Sequence, residues 1–246
     1  MRNTTRHLFL AFVIVALAAI SSGTAAAVTV TPHVPPVQSI TPSDGAVVGI
    51  AHPVTVRFAA PVADRAGVER SVTVGTQAGS FSWNGDSELV WHPTGFLPAN
   101  TTVTVKAGTA RTQFSTGGGT TADADMSAHT FTVYVPGEAP RVIPASMGKP
   151  GRETPVGTFP VMEKFRTITF DSRTIGIPLS DPEGYLLTGE FAERLTSGGV
   201  FVHSAPWSVD QQGYSNVSHG CINLPPDDAQ WYYNNVSVGD PVTVHW

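Results

Sequence analysis

Cysteine is almost missing from this chain: there is one, Cys221, in 246 residues. A lone thiol cannot close an intramolecular disulfide, so its roles narrow to a reactive group or a buried one. Basic charge is also scarce. Fourteen Lys and Arg stand against nineteen Asp and Glu, a net charge of −5, which argues against a polyanion such as nucleic acid as partner. The apolar run Leu8–Ile20 falls short of the about 20 residues that a membrane-spanning helix needs. Heptads, solenoid repeats and phosphate-binding glycine loops are absent, and no Lys or Arg follows Arg194.

The N-terminus has the order of a secretory signal. Arg2, Arg6 and His7 precede the apolar run, and the small residues Ser21 to Ala27 follow it, which suits cleavage after Ala27. An uncleaved anchor over Leu8–Ala27 is the alternative, and the only expected membrane contact. Loss of residues 1–27 leaves 12 Lys and Arg against 19 acids, near −7. The chain is therefore expected to be exported, to the cell wall or periplasmic space. In an oxidising compartment a spare thiol tends to be paired or oxidised, so one that persists is expected to be used.

Residues 28–38 are proline-rich and read as an extended linker. From residue 39 to 114, short alternating runs separated by Gly, Pro and Asn predict strands at 54–58, 71–74, 80–83, 88–91 and 101–106. Asn84-Gly85-Asp86 is a hairpin turn between two of them. This pattern predicts a β-sandwich of immunoglobulin type, with Trp83 and Trp91 in its core. The Gly- and Thr-rich stretch 115–125 reads as a flexible boundary. A second, mainly β domain is expected over 126–246, with strands near 130–135, 141–147, 158–164, 167–170, 199–203 and 241–246. Its main helix is predicted at 226–235, where Pro226 opens it and Asp227 and Asp228 suit its N-terminus. A short helical turn is expected at 190–195. His52, His92, His129 and His245 read as structural.

The chemistry concentrates at Ser218-His219-Gly220-Cys221-Ile222-Asn223. His203 lies eighteen residues upstream of Cys221, at the end of the predicted strand Gly199–His203. Imidazole beside a thiol is the minimum equipment for covalent catalysis, because the thiolate is the reacting form. Gly220 suits a tight turn before the nucleophile. Such a turn also points successive backbone N–H groups at one spot, where they would stabilise an oxyanion. A charged His203 would hold the Cys221 pKa down.

His203, then a gap of fourteen residues from Ser204 to Val217, then the Ser218–Asn223 hexapeptide resembles the signature of the bacterial L,D-transpeptidases, the YkuD-type catalytic domain. The resemblance extends to Met147-Gly148-Lys149-Pro150 and Thr154-Pro155-Val156-Gly157-Thr158-Phe159, and covers about 126–246. The preceding segment, with Pro42–Ala46 and Asp64–Arg70, is similar to the immunoglobulin-like module of actinobacterial members. The implied fold is thus mainly β, an immunoglobulin-like sandwich followed by a YkuD-type β-rich domain.

That resemblance implies the roles of the site residues. Cys221 is the acylated nucleophile, His203 the base, and Ser204 orients His203 through its backbone carbonyl. His219, Gly220 and Cys221 furnish the oxyanion site. Ser218 contacts substrate, Asn223 supports the turn or contacts substrate, Tyr185 is a lid over the cleft and Trp207 lines its mouth. The implied substrate is the tetrapeptide stem of peptidoglycan, attacked at its third residue with loss of D-alanine. An amine of a neighbouring stem resolves the thioester into a 3→3 cross-link, and carbapenems acylate the same thiol. The immunoglobulin-like domain would be a spacer, so removal of 28–125 is expected to spare Cys221 acylation. The chain ends at Trp246, directly after the last predicted strand, so a C-terminal extension like that of some actinobacterial members is not expected to contribute.

Other readings compete for the same residues. His203, His219 and Cys221 would make three zinc ligands, but no HExxH or second cysteine accompanies them, and no metal or cofactor is expected. Sortases also join His and Cys, yet need an arginine downstream of the cysteine. Papain-like and NlpC/P60-type peptidases place Cys before His. Water as acceptor would give an L,D-carboxypeptidase, and an inert site would leave a wall-binding module. Nothing in the sequence sets an oligomeric state.

Overall fold

The computed structural model describes residues 34–246. The signal-like segment and residues 28–33 of the linker lie outside the described residues, as does the question of an N-terminal anchor. Among the described residues no helix is long and apolar enough to cross a membrane.

The first domain runs through β1 (Val37–Thr41), β2 (Val47–Val48), β3 (Val54–Phe58), helix α1 (Arg65–Ser71), β4 (Val72–Val74), β5 (Gly79–Asn84), β6 (Glu88–Pro93), β7 (Thr102–Ala107) and β8 (Ala110–Thr116). Two four-stranded sheets, ordered β1-β3-β6-β5 and β2-β8-β7-β4, face each other. Alternation along the strands supplies the core: in β7, Val103, Val105 and Ala107 point inward while Thr102 and Lys106 point out, the period-2 rule of a half-buried strand. The β5–β6 hairpin turns at Gly85, whose φ of +65° suits glycine. Trp91 is buried in this core, and Trp83 is half-buried beside it, stacked on Phe58 with its Nε1 donating to Glu69 Oε1 at 2.7 Å. Helix α1 was not anticipated. It begins where Asp64 Oδ1 accepts the Gly67 N–H at 2.8 Å, a side-chain cap.

The second domain comprises β9 (Thr121–Asp125), β10 (Thr130–Tyr134), β11 (Arg141–Pro144), β12 (Gly157–Pro160), β13 (Glu163–Asp171), β14 (Leu186–Arg194), β15 (Phe201–Ser204), β16 (Ile222–Leu224), helix α2 (Pro226–Asn235) and β17 (Pro241–His245). They form a five-stranded sheet, β11-β10-β9-β17-β12, and a four-stranded one, β13-β14-β15-β16. One core of Phe131, Met147, Val202, Ile222, Leu224 and Tyr232 lies between these sheets and α2. Helix α2 has the predicted limits, and Asp228 in its first turn pairs with Arg141.

Three expectations need correction. Val37 and Gln38, read as linker, open β1. The stretch 115–125 is not a loose tether: Ser115 and Thr116 end β8, and 121–125 are β9, paired antiparallel with β10 and parallel with β17. Alanines at 122 and 124 are buried there, so small residues that look like linker are small because a sheet packs on them. The expected helical turn at 190–195 is instead the end of β14, bound to β13 and β15. A bulge between Glu190 and Glu193, with Phe191 at φ 49°, buries Phe191, Ala192 and Glu193 consecutively. That run imitates a helical face.

The two domains form one compact unit. The Gly49 N–H donates to Val238 O at 2.7 Å, the Ala51 N–H to Gly239 O at 2.8 Å, and Thr120 Oγ1 to Asn235 O at 2.9 Å. A Cβ at Gly49 would stand 2.0 Å from Asp240 N, so only glycine lets these backbones meet.

Candidate active site

β15 and β16 run parallel, and their register pairs His203 with Asn223. Side chains alternate across a strand. Val202, Ile222 and Leu224 therefore enter the core, while Phe201, His203 and Asn223 share the opposite face. Cys221, one residue before β16, falls on that face with them. It is the face that lines a cleft of about 700 Å³, whose walls include Phe170, Tyr185, Trp207 and His219.

His203 is buried against Phe170, with ring centroids 4.6 Å apart, and faces Trp207 at 5.7 Å. Its Nδ1 lies 2.8 Å from the backbone oxygen of Ser204. A carbonyl only accepts, so Nδ1 carries the proton and Nε2 is left as the basic nitrogen. Burial pulls the His203 pKa down to about 4, against the opposing pull of that carbonyl, so the ring is neutral at neutral pH.

Cys221 keeps part of its surface in the cleft, and its Sγ lies 3.7 Å from Gly199 O. Against the expected low thiol pKa, burial pushes it up to about 11, opposed only by the Phe201 backbone. The stabilising imidazolium that the expectation required is missing, because burial also keeps His203 neutral. The resting pair is a thiol and an imidazole.

The turn before Cys221 is held by two hydroxyls. Ser218 Oγ donates to Cys221 O at 2.6 Å and accepts the Gly220 N–H at 3.0 Å. Ser218 thus forms the turn as well as lining the cleft, and it already engages the Gly220 amide that was expected as an oxyanion donor. The Cys221 amide has no protein acceptor among the described residues. From the other side, Thr154 Oγ1 donates to Gly220 O at 2.9 Å and accepts the Gly148 N–H at 3.0 Å. Ser218 and Met147–Lys149 are joined by backbone bonds of 2.9 and 3.0 Å.

Asn223 lines the cleft floor but is buried, and its Nδ2 donates to Ser208 Oγ at 3.1 Å. Its side chain thus supports the floor. His219 stands beside Glu183 and Tyr185: its Nε2 is 3.5 Å from Glu183 Oε2 and its ring 5.2 Å from that of Tyr185. Burial lowers its pKa, Lys149 adds to the fall, and Glu183 opposes it. Lys149 is itself ion-paired with Glu183. Trp207, about half exposed, stands at the mouth, and Tyr185 lies on the cleft wall.

Several residues of the site carried no sequence signal of their own. Ser146 Oγ donates to Ser215 O at 2.7 Å and accepts from Val217 N at 3.2 Å. Asn216 Oδ1 accepts the Met147 N–H at 3.0 Å, and its Nδ2 donates to Met126 O at 2.9 Å. These pairs join positions some seventy to ninety apart in sequence, a distance no local pattern spans. Thr154 had the single clue of lying in the Thr-Pro-Val-Gly segment.

The fold and site define a two-domain β protein whose cleft pairs one thiol with one tautomer-fixed imidazole. Comparison with known proteins takes this further. Residues 119–244 match the YkuD family, the L,D-transpeptidase catalytic domain, and 16–113 match a bacterial Ig domain. L,D-transpeptidase 1 of Mycobacterium tuberculosis is 49% identical over 249 residues, covering 99% of each chain. An L,D-transpeptidase structure from Mycobacterium smegmatis superposes with a TM-score of 0.82 at 55% identity, over 85% of this chain and 98% of that one. The structure of LdtMt1 in complex with imipenem gives 0.83 at 51%, over 87% and 100%. The chain belongs to the YkuD L,D-transpeptidases, the enzymes that cross-link peptidoglycan.

Proposed function

We propose that Cys221 is the nucleophile and His203 the general base of this reaction. One observation carries the assignment: the Nδ1 contact with Ser204 O leaves His203 Nε2 basic, on the strand face that also carries Cys221. Because the resting pair is neutral, the thiol proton passes to Nε2 as Sγ attacks the carbonyl carbon of the third stem residue. The oxyanion collapses, the bond to D-alanine breaks, and the imidazolium returns its proton to the leaving amine. An amine of a second stem then gives a proton to Nε2 and attacks the thioester. Its collapse forms the new amide and restores the thiol.

Tyr185 and Trp207 serve as wall and mouth for the donor stem. Acylation by a carbapenem is the same first step: the lactam C–N bond breaks, and the ring nitrogen takes the proton but stays tethered to the adduct, and LdtMt1 in complex with imipenem supports expecting it here. The protein acts outside the cytoplasm, exported through residues 1–27 or anchored by them, and the immunoglobulin-like domain sets the cleft at a distance from the membrane or wall. Water in place of the acceptor amine would give the carboxypeptidase.

Intact mass after exposure to imipenem tests the assignment. The native chain is expected to gain one adduct, and Cys221→Ala none. A folded, reduced native chain that stays unmodified would overturn it. Tetrapeptide-stem fragments then separate the acceptors: a cross-linked dimer marks transpeptidation, free tripeptide stem marks hydrolysis.

A further inference from the structure

We infer that Thr154 is a positioning residue for the reaction: its hydroxyl sets the direction of the Cys221 amide, and so the oxyanion donor. The inference rests on the nucleophile assignment above. Gly220 has a φ of +120°, in a region open to glycine, where neighbouring peptide planes turn at little steric cost. A turn so permissive does not fix its own amides. The Gly220–Cys221 peptide is planar and trans, so its C=O and N–H point in opposite directions. Whatever holds Gly220 O therefore aims Cys221 N–H.

Thr154 Oγ1 is that holder, donating to Gly220 O at 2.9 Å. It is fixed in turn. The residue is buried, and the same oxygen accepts the Gly148 N–H at 3.0 Å. Gly148 stays in place because its backbone presses on the 152–154 turn: a Cβ there would meet Arg152 O at 2.1 Å and Thr154 N at 2.5 Å. The neighbouring peptides of the turn are spoken for by Ser218, which takes the Gly220 N–H and binds Cys221 O. The Cys221 N–H, without a protein acceptor, is the amide left to meet a charge forming beside Sγ. Thr154 touches neither the thiol nor the imidazole, and acts through the Gly220 carbonyl alone.

The experiment compares two reactions of one thiol in the full chain. Acylation by imipenem builds an oxyanion, whereas alkylation by iodoacetamide displaces iodide and builds none. In Thr154→Val, acylation is expected to slow ~100-fold, the scale of losing one oxyanion donor, while alkylation changes no more than about twofold. Thr154→Ser, which keeps the hydroxyl, is expected to recover acylation to within several-fold of native. If the valine variant does not fold, Thr154→Ala is read the same way. Unchanged acylation in a folded Thr154→Val or Thr154→Ala would overturn the inference, as would acylation and alkylation falling together. A native chain that imipenem does not acylate would overturn the nucleophile assignment, and with it this inference.

Discussion

The thiol of Cys221 lies 3.7 Å from the backbone oxygen of Gly199, and its hydrogen bond in the resting enzyme is to that carbonyl. With the thiol raised to about 11 and His203 lowered to about 4, neither is charged between those limits. Iodoacetamide alkylation is therefore expected to accelerate through pH 6 to 10 without levelling off. A plateau at or below about pH 8.5, the range of free cysteine, would show a preformed thiolate–imidazolium pair instead.

The same two shifts set a stability profile. The His203 pKa is lower folded than unfolded, so the unfolded chain takes a proton first as pH falls from 6.5 toward 4, and stability drops. At 1.36 kcal/mol per unit this is on the order of 3 kcal/mol. Thermal melts between pH 7 and 4 should show the loss, and His203→Gln should be flatter over that range. An equal slope in the variant would assign the loss to other groups.

Glu183 joins three segments at the cleft rim: one oxygen holds Lys149, the other stands 3.5 Å from His219 Nε2, and Tyr185 follows two residues later. The group is exposed, so Glu183→Gln is expected to leave the thermal midpoint nearly unchanged. The His219 pKa should fall further, since Glu183 opposes both burial and Lys149. KM for the stem should rise more than kcat falls. An NMR titration of His219 that does not move would contradict this.

The reactive pair was legible in sequence because both members sit in local patterns: His203 ends an apolar strand, and Cys221 lies in a contiguous hexapeptide. What holds them was not. Thr154, Ser146 and Asn216 act through contacts to positions about sixty-five to seventy away, and nothing in their neighbours announces a partner. The upward push on the thiol was hidden for a related reason. Adjacency of His and Cys suggests an ion pair only where a charged His is stabilised, whereas burial, a property of the whole fold, penalises both charges together. Among the strands, β9 was hidden because Ala122 and Ala124 look like linker residues until β10 and β17 close on them.

That strand changes what a truncation should do. Deleting 28–125 removes β9 from between β10 and β17, so loss of folding and of the imipenem adduct is expected. Deleting 28–116 keeps β9. It also uncovers Val238 O and Gly239 O, which bond Gly49 and Ala51, whereas Asn235 O keeps its bond from Thr120 within the retained part. This shorter deletion should melt lower than the full chain but still form the adduct. An adduct on both truncations at the same rate would deny β9 its place in the catalytic core.

Glu193 is fully buried on β14, and among the described residues neither carboxylate oxygen has a hydrogen-bond partner. The nearby Lys164 ammonium is taken by Tyr233 O at 2.5 Å and Val236 O at 2.6 Å, at the end of α2. Burial raises the Glu193 pKa well above the usual carboxylate range, with Lys164 opposing, and raises Asp240 to about 6. A carboxyl raised by folding keeps its proton after the unfolded chain has lost one, so its contribution is whole at acid pH and shrinks as pH rises. Glu193→Gln stays neutral throughout. It should match native stability near pH 4.5 and exceed it by at least about 1 kcal/mol at pH 8, the value of one pKa unit. Comparing variant with native at each pH cancels the opposite trend from His203. A stability difference that stays constant from pH 4.5 to 8 would mean that Glu193 does not carry its proton into the neutral range, and that the half-buried Lys164 neutralises it instead.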